Sequence, residues 1–390
     1  MQYDFDRYTA PRQSDSVKWR RYGSGVIPLW IADMDFPCAR PIIEALHNRV
    51  EEGVFGYGEP DARLRPVLVE RLKRLYGWGI REEDIVFLPG VVTGLNLAFR
   101  LFSQPGEGVI IQPPVYSHFM DALVHGRALA DPPLVQGSDG RYEIDFAAFE
   151  AAITDGTRVF LMCNPHNPVG RVFERRELEA LAEICLRRDL LICSDEIHCD
   201  LVHPGYSHIP IASLGRDVAR RTVTLMAPSK TFNLAGLGCA FAVIENPELR
   251  DVWTKGSRGL VPFVNVMGFV SALAGYTDGQ DWLDQALAYL AGNRDFIAAY
   301  VKERLPGVKM TPMEATYLAW LDCRNAGIPG SPSRYFLKEA QVALNDGVEY
   351  GRGVEGFVRL NLGCARGTLT EALGRMERAL ARLQGSPAGE

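Results

Sequence analysis

Between Asp84 and Asn246 the chain alternates short apolar runs with amphipathic stretches, and this alternation constrains the fold more than any other feature. The runs Ile85 to Leu88, Val109 to Gln112, Val159 to Cys163, Leu190 to Ser194, Val223 to Met226 and Ala240 to Ile244 have the length of strands. Between two of them, Glu174 to Arg188 places Leu178, Leu181, Ala182 and Cys185 on one helical face. Strands alternating with helices predict a mainly parallel sheet covered on both sides, with ligands at the carboxyl ends of its strands. Residues that carry chemistry are therefore expected just after these runs.

Beyond Asn246 the texture changes. A helical stretch from Gln280 to Arg304 precedes further strands, Tyr317 to Leu321 and Phe357 to Leu362, and a helix from Thr368 to Leu383, which together predict a smaller α+β domain. The Gly/Pro-rich stretch Ala326 to Pro332 reads as a loop inside it. With 390 residues, 47% of them apolar, the chain is long enough for a large core and a smaller one. Its net charge of -6 and scattered basic residues lack the footprint of a nucleic-acid binder. Eight cysteines without a C-x-x-C pair, several within apolar runs, read as reduced core residues. Residues Met1 to Arg7 lack a signal-peptide pattern and no apolar run reaches membrane-spanning length, so the expected setting is the cytoplasm.

Four motifs follow the apolar runs. Gly90-Val91-Val92-Thr93-Gly94 opens a helix, offering backbone N–H groups to an anion, although a plain strand-to-helix turn would look the same. Asn164-Pro165-His166-Asn167-Pro168 sets two amides in a rigid turn, and Asn-Pro pairs are also ordinary turn chemistry. Asp195 and Glu196 come directly after a continuous apolar strand, where a carboxylate is costly unless it meets a cation, a donor or solvent. Lys230 lies in Ser229-Lys230-Thr231, commonly a surface turn. Taken together, an anion cradle, an amide turn, a buried acid and a lysine match an aldehyde cofactor that has a phosphate, a phenolic oxygen and a ring nitrogen.

The sequence resembles fold-type I pyridoxal-phosphate (PLP) enzymes of the class I/II aminotransferase superfamily, in particular the MalY/PatB-type cystathionine β-lyase branch. The resemblance spans nearly the whole chain. It rests on Ser16 to Trp19, Leu29 to Phe36, Phe55-Gly56-Tyr57, Pro113 to Tyr116, the amide turn, Ser194 to His198, Ser229 to Asn233 and Gly356 to Asn361. It implies an α/β fold, with a large domain of mainly parallel mixed sheet flanked by helices plus a smaller α+β domain. The implied limits are an N-terminal arm over 1–45, a PLP-binding domain over 46–285 and a C-terminal domain over 286–390. Lys230 would hold PLP as a Schiff base and later move protons. Asp195 would pair with the ring nitrogen, Asn167 with the phenolic oxygen, and Tyr116 would stack on the ring. Val92, Thr93 and Ser229 would hold the phosphate, joined by Tyr57 from the other subunit of a homodimer with shared active sites. Arg359, with Ala32, would receive the substrate.

Two positions depart from the wider superfamily: His198 stands where a tyrosine usually makes a second phenolic contact, and Gly238 where an arginine usually meets the phosphate. The implied reaction is α,β-elimination from a thioether amino acid, giving pyruvate, ammonia and a thiol. An aminotransferase is the alternative, because Cα proton removal is common to both. A regulatory binding protein would be expected to have lost Lys230 or Asp195, and both are present. A metal enzyme built on Asp195, Glu196 and His198 would lack the His and Cys ligands such sites use. No metal is expected, nor any nucleic-acid or membrane partner.

Overall fold

The computed structural model describes residues 1–6 and 15–385. Residues 7–14 of the expected N-terminal arm and 386–390 of the expected C-terminal domain lie outside the described residues.

Seven strands form the main sheet, in the order Ile85–Leu88, Ala240–Val243, Thr222–Met226, Leu191–Asp195, Thr157–Cys163, Gly108–Ile110, Ala128–Ala130. Only Ala240–Val243 runs antiparallel to both its neighbours; the other pairings are parallel. Every residue of Leu191–Asp195 and of Thr222–Met226 is buried, as expected of central strands covered on both faces. The expected runs fall within one or two residues of these strands. Ala128–Ala130 was not anticipated: its three residues are half-buried or exposed, and Ala-Leu-Ala is too short an apolar run to read as a strand.

One covering helix, Val91–Phe102, buries Val91, Leu95, Leu97, Ala98 and Phe99. A fully buried Leu or Phe of this kind contributes about 1.5–3 kcal/mol. Gly94, in its first turn, lets the helix end press against the strand ends: a Cβ there would lie 2.6 Å from a Leu225 methyl and 3.1 Å from a Leu88 methyl. On the opposite layer, Arg175–Arg187 starts at a capping box between Glu174 and Glu177 and buries Leu178, Leu181, Ala182 and Cys185, the face expected from their spacing.

A second sheet has the order Lys309–Met310, Leu318–Asp322, Phe357–Asn361, Asn345–Asp346, all antiparallel. Helices Gln280–Arg304 and Arg366–Gly385 flank it. Its core joins Leu318, Leu321, Leu360 and Leu373 to residues from the start of the chain, Phe5, Ile27, Leu29, Met34 and Phe36. Ile27 and Pro28 pair in parallel with Val342 and Ala343. The two sheets meet at a buried charge cluster. Arg171 reaches Glu177 at 2.7 Å and Glu314 at 3.1 Å, and Glu314 also takes Arg141 at 2.6 Å. Each charge is thus paired, which offsets the large desolvation cost of burying it.

All eight cysteines are free. Seven are buried; Cys38, at the start of the helix Arg40–Glu51, is only half-buried, against the expectation that all belong to the core.

Candidate active site

The carboxyl ends of the central strands open into a cavity of about 470 Å³, within the range of small-molecule sites. It brings together nine of the ten expected site residues: Ala32, Val92, Thr93, Tyr116, Asn167, Asp195, Ser229, Lys230 and Arg359. Tyr57 lies elsewhere and is fully exposed, its ring 6.0 Å from that of Phe263.

Asp195 ends its strand inside the protein rather than at a solvated edge, only 4% exposed. Its Oδ1 accepts from the Ile197 backbone N–H at 3.0 Å. Burial raises its pKa to about 7, so the site favours a cation beside it. Glu196 turns the other way and supports the strand end. It accepts from Ser194 Oγ at 2.9 Å, from the Ile211 N–H at 3.3 Å, and faces His208 Nε2 at 2.7 Å. Asp195, Glu196 and His198 therefore do not converge on a common point, and no metal-ligand group occurs among the described residues.

Lys230 follows the strand Thr222–Met226, in the short helix Pro228–Thr231. Its Nζ donates to the Ala32 carbonyl at 2.6 Å, and Tyr317 Oη donates to the same oxygen at 3.0 Å. Burial, reinforced by the Arg359 charge, lowers the lysine pKa to about 8. An amine so placed is available as nucleophile and base near neutral pH.

Ala32 belongs to a strap, residues 31–36, tied down by amide side chains. Asn361 Nδ2 donates to the Ile31 and Asp33 carbonyls, each at 2.6 Å, and Asn233 Nδ2 to those of Met34 and Phe36. Lys18, fully buried, ion-pairs with Asp35 at 3.0 Å and with Asp33 at 3.7 Å.

Arg359 extends from the second sheet into the cavity. Its Nη1 donates to Asn167 Oδ1 at 3.0 Å, and its Nη2 to Asn345 Oδ1 at 2.7 Å and the Trp30 carbonyl at 2.8 Å. Because a guanidinium only donates, the Asn167 oxygen must face it, leaving Asn167 Nδ2 as a donor for a ligand. Nε of Arg359 is buried without a partner among the described residues. Arg359→Lys is expected to weaken amino-acid binding by about 1.5–3 kcal/mol, because an ammonium cannot reproduce the planar fork. Equilibrium titration with several amino acids checks this: the loss should extend to all of them, and loss for one side-chain class alone would make Arg359 a selectivity residue.

The anion end is formed by the first turn of Val91–Phe102, with Val92 and Thr93 on the cavity and Ser229 beside them. Thr93 is inside the helix; the cap is Gly90, in extended conformation. Gly238 lines this end with φ +58°, and a Cβ on it would lie 3.4 Å from the Pro89 carbonyl oxygen. A long side chain there would start from strained backbone. Among the described residues Lys230 and Arg359 are the only lysine and arginine of the cavity, so the described part of its anion end is made of neutral donors.

His198, left open by the sequence, lines the cavity while 3% exposed. Burial, with the nearby charges of Lys230 and Arg359, lowers its pKa to about 3, so the ring is neutral, and its Nδ1 has no partner among the described residues. Trp30, Ser117, Asn345, Glu349 and Tyr350 also line the cavity without having been expected. Ser117 lies five residues beyond the run Val109 to Gln112, within reach of strand-end reasoning, whereas Trp30, Asn345, Glu349 and Tyr350 follow no apolar run of the main sheet.

This donor set fits PLP. The carboxylate favours a cationic ring nitrogen, Asn167 Nδ2 and the His198 ring suit a phenolic oxygen, helix-end amides and Ser229 suit a phosphate, Tyr116 supplies an aromatic wall, and Lys230 an amine of lowered basicity. Comparison with known proteins agrees. The family model "aminotransferase class I and II" matches residues 24–376. Cystathionine beta-lyase PatB of Bacillus subtilis (strain 168) is 38% identical over 386 residues, covering 97% of this chain and 100% of PatB. The crystal structure of OvoB superposes with a TM-score of 0.92 at 45% identity, covering 97% of this chain and 99% of OvoB. That of cystalysin from Treponema denticola, which contains a pyridoxal 5'-phosphate cofactor, gives 0.93 at 33% identity, covering 98% and 100%. Matched over nearly its whole length in sequence and in fold, the chain belongs to the aminotransferase class I and II family, within the MalY/PatB branch.

Proposed function

We propose that the protein is a PLP-dependent C–S β-lyase that converts an S-substituted cysteine and water into a thiol, pyruvate and ammonia. The reaction type is carried by the full-length likeness to a cystathionine beta-lyase. The cofactor is supported by the cavity and by the PLP-containing relative.

When bound, PLP supplies an aldehyde that condenses with an amine and a cationic ring that draws electrons away from Cα. The chain's own residues do the rest. Arg359 holds the substrate carboxylate and so fixes which Cα bond faces Lys230. Lys230, its pKa held near 8, takes the Cα proton as general base. Asp195 keeps the ring nitrogen protonated throughout, and Asn167 orients the ring while its own oxygen is held by Arg359. Tyr116 closes one wall of the cavity.

The surface supports the homodimer. Val54, Phe55, Tyr57, Leu260 and Phe263 are exposed, and Phe263 lines a groove of about 880 Å³ whose walls also include Gly58 and Gly259. A second copy there would cover an apolar surface and bring in Tyr57 to supplement the anion end, which has no arginine of its own. An arm that joins the second sheet, and a larger and a smaller domain, are supported by the two sheets and by the pairing of Ile27–Pro28 with Val342–Ala343, while the limits of 1–45, 46–285 and 286–390 fall within the helices Arg40–Glu51 and Gln280–Arg304. The free cysteines suit a reducing cytoplasm.

The test is acceptor dependence. Given cystathionine and no 2-oxo acid, the purified enzyme is expected to release pyruvate over many turnovers, because elimination, unlike transamination, needs no second substrate to complete a cycle. A single stoichiometric burst, restarted by adding a 2-oxo acid, would make the protein an aminotransferase.

A further inference from the structure

Two carboxylates line the cavity, Asp195 and Glu349. Asp195 is deeply buried and suited to a ring nitrogen; Glu349 is exposed at the mouth. Glu349 is nevertheless held in place. It is the third residue of the one-turn helix Gly347–Tyr350, and its Oε1 accepts from the Asp346 backbone N–H at 3.2 Å, closing a capping box. Its Oε2 accepts from Asn345 Nδ2 at 3.1 Å. Asn345 Oδ1 in turn accepts from Arg359 Nη2 at 2.7 Å. A hydrogen-bonded chain thus runs from the arginine that receives the substrate carboxylate to a carboxylate fixed farther out on the cavity wall.

No cation lies within ion-pairing distance of Glu349 among the described residues. Both contacts are with neutral donors, and each oxygen keeps acceptor capacity for one more partner. An oriented, uncompensated anion costs little to hold ready and attracts a cation brought in by a ligand. Trp30 and Tyr350 line the same cavity, each with an arginine, Arg21 and Arg359 respectively, already over one face of its ring.

We infer that Glu349 is a specificity residue, selecting amino acids whose departing sulfur substituent carries a cationic group, such as an aminothiol. This rests on the assignment of the cavity as the amino-acid site, with Arg359 on the α-carboxylate. A side chain leaving that clamp along the wall meets Glu349 next, and a substituent ending in an ammonium gains an ion pair there that a methyl or a carboxylate does not.

The test compares S-(2-aminoethyl)-L-cysteine with S-propyl-L-cysteine, which replaces the ammonium by a methyl of similar size. Binding to the holoenzyme is read from the absorbance of the bound cofactor, a signal of amino-acid attachment whatever reaction follows. The wild type is expected to bind the aminoethyl compound about fivefold more tightly, the upper end for an ion pair still reached by solvent. Glu349→Gln, whose amide oxygen can still cap the helix, should bring the two affinities within about twofold. Glu349→Lys should reverse the order and favour S-(2-carboxyethyl)-L-cysteine. Equal affinities in the wild type, or a preference that survives Glu349→Gln, would reduce Glu349 to a helix cap. Pyruvate is measured in the same samples. A charge preference that depends on Glu349 without pyruvate release would overturn the lyase assignment and uphold this one, and a chain that takes up no chromophore would overturn both.

Discussion

Lys230→Ala is expected to leave the fold intact, to abolish the covalent link to the cofactor and to reduce turnover by a factor on the order of 10⁴, the upper range for loss of a positioned general base. The fold should survive because the lysine head makes one hydrogen bond, to the Ala32 carbonyl, an oxygen that Tyr317 also satisfies. No other amine is placed to substitute. Lys18 is buried, but it is held by Asp35 and Asp33, and Lys255 pairs with Asp251 on the surface. Borohydride reduction followed by peptide mapping should label Lys230 in the wild type and nothing in the variant. A label on Lys18 or Lys255 would refute the assignment.

Asp195→Asn should separate cofactor retention from turnover. The amide fills the same space and can still accept from the Ile197 N–H. It cannot hold a ring nitrogen protonated. In the wild type burial raises the Asp195 pKa to about 7, and a ring cation held beside it would favour the ionised carboxylate, so that with the cofactor bound the proton would sit on the ring. Turnover should therefore fall by a factor on the order of 10² or more while cofactor content stays near that of the wild type. Cofactor absorbance and steady-state rate on one preparation measure both. Near-normal turnover would make the carboxylate a structural group.

The residues that could be read from the sequence share one circumstance: each follows an apolar run long enough to recognise. Asp195 ends a fully buried strand, Lys230 comes four residues after another, and Val92 follows Ile85–Leu88 after a short turn. In a parallel sheet this local order in the chain fixes the position in space, because every such strand delivers its next residue to the same rim. Where that logic fails, so does the reading. Ala128–Ala130 is an edge strand of three residues with too little burial to leave a pattern. The reversed direction of Ala240–Val243 leaves no trace in its composition, since an apolar run looks the same either way. Asn345 and Glu349 come from a short strand and a single helical turn in the second sheet, and only tertiary packing turns them to the cavity. Tyr116 and Arg359 were named through family motifs, not through any periodicity, and Asn167, although it follows the run ending at Cys163, took its role from the family motif as well. Their placement in one cavity is a matter of the whole fold.

The strap over residues 31–36 also bears on how the protein is made. It supplies the carbonyl that meets Lys230, yet it is tied by Asn361, and the adjoining Ile27–Pro28 pairs with Val342–Ala343. The ribosome emits these partners roughly 300 residues apart, which at ordinary elongation rates is a delay on the order of 15 to 60 s. Throughout that interval Leu29, Met34 and Phe36 have no second-sheet core to enter. The main sheet can close as its strands emerge, but the catalytic rim is completed only after Val342–Ala343 and Asn361 have been made. A nascent chain of this protein is thus folded in part well before it has a site at which to react.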